Sequence, residues 1–422
     1  MKIKKISRVA MACLLSVFSL LTIAIPQAHA SAVTCIWAHS GGGDDNFSNM
    51  ANWQDCNGGA PTGNGSEELE FPIDPGTILT ANNNLSAGAS FTDIKFTDGA
   101  SGDNGYVITG NAINVGDITD QSTTATGNEL ELNLTLIGSS QVTFAGSSSS
   151  QLIIGDPNNI GANTLDLASS NPFQVSNTTI ASSLTGSGTL NTAGADGDGG
   201  VDLLADSPNF TGTINGNAST LSLDSASAAG IVVNSGSTLK GDGGSAPSIT
   251  VNSGGTVAPG HSPGCLTANS QLVINGTYQA EIAGTTACSD YDQITSAGST
   301  DVTSATLNVS FLNGFQPSVG DSFIIIKNTG GGAVTGTFAG LPEGGTFKVD
   351  NVTFAITYQG NGENDVVLTV AAVDAASAAS SAPNTPDTGL AAIAARPGTV
   401  LAVTVLSAST LLAIARRLRM AR

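Results

Sequence analysis

The chain has 422 residues, 52 of them glycine, and only 11% are charged, against roughly 25% in an average globular protein. A hydrophobic content of 40% excludes a disordered polyelectrolyte, and the length allows two or three ordinary domains or one long repetitive one. Nine of the 13 basic residues lie near the termini, so between residues 31 and 388 only Lys95, Lys240, Lys327 and Lys348 face all 33 acids. That balance excludes nucleic acid as a partner, because phosphate neutralisation needs a cationic surface.

Residues 1–30 read as a secretory signal: a basic start, an apolar run from Val9 to Ile25, Pro26, and a small-x-small cleavage site at Ala28 and Ala30. A lipoprotein signal is the alternative, but Cys13 stands at the start of the apolar run rather than after it. Removal leaves Cys35, Cys56, Cys265 and Cys288, an even number in an exported chain, where disulfides are the default. Of three possible pairings, Cys35 with Cys56 and Cys265 with Cys288 are local. A metal site is the alternative, and no Cys-x-x-Cys spacing supports it.

Past the signal, strict alternation replaces helical periodicity. Leu130, Leu132, Leu134 and Leu136 alternate with polar residues, as do Leu307, Val309 and Phe311, and Val352, Phe354, Ile356 and Tyr358. Period two places each apolar set on one face of a strand, and the intervening Gly, Asn, Asp and Ser clusters are turn residues. The class expected is all-β. Ile231-Val232-Val233-Asn234-Ser235-Gly236 recurs 18 residues later as Ile249-Thr250-Val251-Asn252-Ser253-Gly254. Such an offset fits one coil of a right-handed parallel β-helix, a solenoid whose coils bury their apolar residues only against each other. Ile231 should then stack on Ile249, Val233 on Val251 and Asn234 on Asn252.

Catalytic residue types are scarce. The mature region has His39 and His261, no Arg before Arg396, and acids mostly isolated beside Gly or Asn. A two-carboxylate hydrolase stays open, since general acid and base work needs only a convergent pair. His261-Ser262 lies in a Gly-Pro turn and reads as structural, and Trp37 and Trp53 read as end-capping core rather than sugar platforms. Asp196-Gly197-Asp198-Gly199-Gly200, with Asp202 close by, resembles one copy of a Ca²⁺-binding glycine/aspartate repeat. The alternative is a solvated loop.

Residues 371–384 form an Ala/Ser/Pro linker, and 385–422 follow with an uncharged run at 399–415, long enough for a transmembrane helix, and a basic tail. Thr385-Pro386-Asp387-Thr388-Gly389, the apolar span and Arg416, Arg417, Arg419 and Arg422 together resemble the sortase cell-wall sorting signal, with Thr385 where Leu is usual. The resemblance implies cleavage between Thr388 and Gly389 by a sortase-like transpeptidase and transfer to an envelope amine; the alternatives are a plain tail anchor behind a Pro/Thr-rich linker and an exosortase-type signal, whose Pro-Glu-Pro core is absent. Three stretches, Asn209-Phe210-Thr211-Gly212-Thr213-Ile214, residues 254–264 and Gly336-Thr337-Phe338-Ala339-Gly340-Leu341-Pro342, look like the autotransporter-associated β-strand repeats of passenger domains. That likeness implies a β-helix ectodomain over residues 31–370, without the translocating barrel of an autotransporter. The function expected is an envelope-anchored adhesin bound to a host or microbial surface receptor. A polysaccharide-active enzyme and a coat-forming subunit are the alternatives. A carboxylate pair in a groove flanked by aromatics would favour the enzyme, and a smooth face of Thr, Ser and Asn would favour adhesion.

Overall fold

Short runs rich in Val, Ile, Leu and Thr, broken by Gly, Asn and Ser, have the composition of strands too short to stand alone. The computed structural model pairs them almost entirely in parallel, in sheets of 10, 11 and 12 strands. It describes residues 32–38, 44–72, 79–97, 105–122, 127–137, 142–144, 151–167, 172–193, 200–227 and 229–374. All of these belong to the unit Met1–Asp374. The expected signal with Ala28 and Ala30, the acids Asp196 and Asp198, His39, the sorting residues Pro386, Thr388 and Gly389, and the 399–415 span lie outside the described residues. Among the described residues no helix is long and apolar enough to cross a membrane.

Through the middle of the chain the strands visit the three sheets in rotation, whereas earlier circuits alternate between the 10- and 11-stranded sheets and later ones between the 11- and 12-stranded. Thr178–Ile180 joins the 11-stranded sheet, Ser183–Gly186 the 10-stranded and Thr189–Ala193 the 12-stranded; Val201–Leu203, Asn209–Phe210 and Thr213–Asn217 repeat the circuit. Each strand hydrogen-bonds to its counterpart one circuit later, an arrangement compatible with a β-helix or solenoid. The expected register is present: Ile231 pairs with Ile249 and Val233 with Val251. Asn252 Nδ2 donates to Asn234 Oδ1 at 2.8 Å, and Asn234 Nδ2 donates to Asn217 Oδ1 at 2.8 Å. Between circuits the inward Ile, Val and Leu are sealed from water, each stabilising by about 1.5–3 kcal/mol relative to exposure.

Two expectations need correction. The Leu130 to Leu136 alternation is not one strand: Glu129–Glu131 lies in the 11-stranded sheet and Leu134–Leu136 in the 10-stranded one. All four leucines still point inward, because the corner between the strands preserves the alternation. Nor does parallel stacking continue to Val370. Ser322–Asn328 pairs antiparallel with Asp365–Val373, which pairs antiparallel with Val352–Gln359, itself paired with Thr346–Val349. These strands cover the apolar residues of the last circuits: Phe354 packs on Phe311 and Phe323 at ring-centroid distances of 6.0 and 6.2 Å.

The opposite end is closed by aromatics. Trp37, Phe47, Trp53 and Phe71 form a buried cluster with ring centroids 5.0–6.1 Å apart, and Trp53 Nε1 donates to Phe47 O at 2.8 Å. Both tryptophans thus occupy the core position read from the sequence. Cys35 is bonded to Cys56 and Cys265 to Cys288, the local pairing.

Candidate functional site

Outward side chains fall into rows, because in a parallel register each strand places its outward residue over that of its neighbour. In the 12-stranded sheet one row runs Gln174, Asn191, Asn215, Val232, Thr250, Val273 and Asp301. Beside it a second row runs Thr189, Thr213, Gly230, Ser248, Gln271 and Ser299. From Gln174 to Val273 this surface carries amides, hydroxyls and methyls and no charge. Asn215 Nδ2 donates to Asn191 Oδ1 at 2.9 Å, which fixes the amide orientation along the row.

The 11-stranded sheet adds a threonine ladder. Thr220, Thr238, Thr256, Thr277 and Thr306 occupy one register on five consecutive strands. Between the two faces lies the corner of Asn217, Asn234 and Asn252. Asn and Thr thus line a continuous strip across two sheets. The sequence signal for the ladder was the 18-residue spacing of Thr220, Thr238 and Thr256, which the longer later circuits obscure.

The acids gather elsewhere. Glu68, Asp93 and Asp117 share one register on three neighbouring strands, and Glu70 and Lys95 the next. Lys95 Nζ lies 2.9 Å from Glu68 Oε1, and Thr119 Oγ1 donates to Asp93 Oδ2 at 3.1 Å. Burial pushes the Asp93 carboxyl up to about 7, with Lys95 pulling the other way. On the 11-stranded sheet burial, then Asp156 and Glu129, raises Glu131 to about 7. A carboxylic acid beside carboxylates is the composition of a general acid and base pair. Yet the nearby rings of Phe71, Phe91 and Phe96 are fully buried on the inward side, so the Asp93 group lacks the aromatic flank that would hold a sugar.

The Gly-His-Ser-Pro turn is tied down at several points. His261 Nε2 lies 2.9 Å from Asp224 Oδ1, and Ser262 Oγ donates to Glu281 Oε2 at 2.5 Å. His261 and Ser262 are therefore each paired with a carboxylate and not arranged as nucleophile and base. The Asp224 hydrogen bond raises the His261 pKa against the effect of burial. Beneath the turn, buried Asp292 accepts from Gly264 N at 2.9 Å and Glu281 N at 2.8 Å, and burial pushes it up to about 7. Gly260 is required here: it has φ 85°, and a Cβ would fall 2.1 Å from Gly264 N.

Asp202 sits on Val201–Leu203, where its Oδ2 accepts from Gln151 Nε2 and Thr179 Oγ1, both at 3.5 Å. Its expected Ca²⁺ partners Asp196 and Asp198 lie outside the described residues, and among the described residues no group of three His, Cys, Asp or Glu could hold a metal. No family model matches the chain, nor does any curated protein. The functional reading therefore rests on the arrangement of these faces.

Proposed function

We propose that the chain is an exported, envelope-anchored adhesin-like protein whose ectodomain is a right-handed parallel β-helix. The observation that carries this is the uncharged Asn/Thr/Ser strip on a chain with 33 acids and 13 basic residues. A rigid strip of amides and hydroxyls repeating at the strand spacing of about 4.8 Å suits contact with a surface through many weak polar bonds. The acids on the remaining faces keep the molecule soluble and discourage self-association. Two disulfides fit an oxidising exterior.

In this reading the segment from Thr385 holds the chain in the membrane until a sortase-like enzyme cleaves after Thr388 and joins it to an envelope amine. The test is the carboxyl end of envelope-released protein. Mass spectrometry should find the chain ending at Thr388, whereas intact Gly389 to Arg422 on surface-exposed molecules would reject the processing step. A second reading, an extracellular polysaccharide-active enzyme, draws on the Asp93 and Glu131 carboxyls held near 7 beside other carboxyls. Release of reducing sugar ends that disappears in Asp93→Asn or Glu131→Gln would favour it.

A further inference from the structure

A cavity of about 210 Å³ opens at the antiparallel end of the described chain, with Phe311, Phe315, Gln316, Asp350, Asn351 and the buried Val352 in its lining. It lies between the turn that follows Thr306–Phe311 and the tight turn joining Thr346–Val349 to Val352–Gln359. Asn313 and Asp350, with φ 52° and 51°, shape these two turns. The rings below are held from behind: Phe311 packs on Phe354 with centroids 6.0 Å apart, and Phe315 meets Phe323 edge-on at 6.4 Å. Asn351 spends one amide proton on Asp374 O at 3.3 Å, which fixes its plane and leaves the rest of the amide for a ligand.

The chemistry of this lining is selective. The volume is below the roughly 300 Å³ at which drug-sized sites begin, so it holds one ring-sized group. Two amides and one carboxylate beside aromatic carbon match a molecule with an apolar C–H face and adjacent hydroxyls. An anion would find no basic group among the lining residues, and a metal cation would draw on Asp350 and the amide oxygens but make no use of the two phenyl rings. We propose that this cavity binds a single uncharged pyranose, such as the end unit of a polysaccharide. The site lies apart from the ladder rows and does not depend on their role.

Saturation-transfer NMR on the full chain, with glucose, galactose and N-acetylglucosamine as probes and choline as the cation, tests it. At least one sugar should bind, with Gln316→Ala and Asp350→Asn each weakening it about tenfold, while Asn158→Ala, in an exposed turn outside both the cavity and the ladder rows, leaves it unchanged. The Asn variant keeps a residue that tolerates the left-handed turn, so its loss of binding is not a loss of fold. No transfer to any of the three sugars, transfer indifferent to both cavity variants, or preferential binding of choline would each overturn the proposal. A failure here leaves the ladder-face reading standing, because the cavity lining and the ladder rows share no residue.

Discussion

At the scale of single residues, the fold depends on inward positions that see only other circuits. Val251 is fully buried between Val233 and Ile274, its register partners on the strands to either side. Val251→Asp places an unpaired carboxylate there, and we expect a loss of about 4 kcal/mol or more. Ser253, two residues on, is exposed in the turn, so Ser253→Asp should change stability by less than about 0.5 kcal/mol. Denaturant melts of the two variants make the comparison, and equal midpoints would contradict the stacking. Asn234 shows a different use of register: its amide donates to one Asn and accepts from the next, so no buried polar group is left unpaired at the corner.

At the scale of elements, the sequence was informative wherever circuit length stayed constant. Residues 231–236 and 249–254 are 18 apart, and their register, their Asn ladder and the solenoid-like stacking all followed from that one repeat. Asn191 and Asn215, however, are 24 apart, although they also stack. Loops of varying length between short strands hide such repeats, because registry is set by backbone pairing and not by spacing. The same limit split the Leu130 to Leu136 run, since alternation reports inward direction but not a change of sheet. The antiparallel end was illegible for another reason: an alternating strand reads the same whichever way its neighbour runs. Of the candidate site, the Thr and Asn content was visible, but the segregation of charge from it required three-dimensional register. The disulfides also act at this scale, each closing a loop of about one circuit with separations of 21 and 23 residues. Reducing either should cost about 3 kcal/mol on the loop-entropy account. Peptide mapping without reductant should recover Cys35 linked to Cys56 and Cys265 to Cys288, and free thiols at all four in native protein would contradict both.

For the whole molecule, the acids that fold into buried or half-buried positions set the response to pH. Asp93, Glu131 and Asp292 are held at about 7, well above their unfolded values. Between roughly pH 4 and 7 the folded state therefore binds more protons than the unfolded one, so stability falls as pH rises through that window. His261, raised by Asp224, works in the same direction: its contribution is present below the ordinary histidine value and is lost as pH rises through the folded one. Asp224 is opposite in sign, because burial raises it but the His261 and Asp242 hydrogen bonds lower it overall, so its contribution fades only in stronger acid. The melting temperature should accordingly be higher at pH 5 than at pH 8. A melting temperature that rises steadily from pH 5 to 8 would show that these carboxyls are not held as described. The acidic faces also self-repel most when fully ionised, which acts in the same direction.

If the uncharged strip is the contact surface proposed above, negative charge placed on it should abolish most adhesion. Adhesion of cells displaying the wild-type chain to a target cell or polysaccharide layer, compared with cells displaying Thr213→Glu together with Gln271→Glu, tests it most directly. Both positions are exposed in the 12-stranded sheet, so the pair adds charge to the strip without burying it. Asn308→Glu, at an exposed position on the 11-stranded sheet outside the threonine register, serves as the control. The double variant should lose most adhesion at unchanged display level while the control retains it. Equal adhesion by all three, or equal loss in the control, would contradict it.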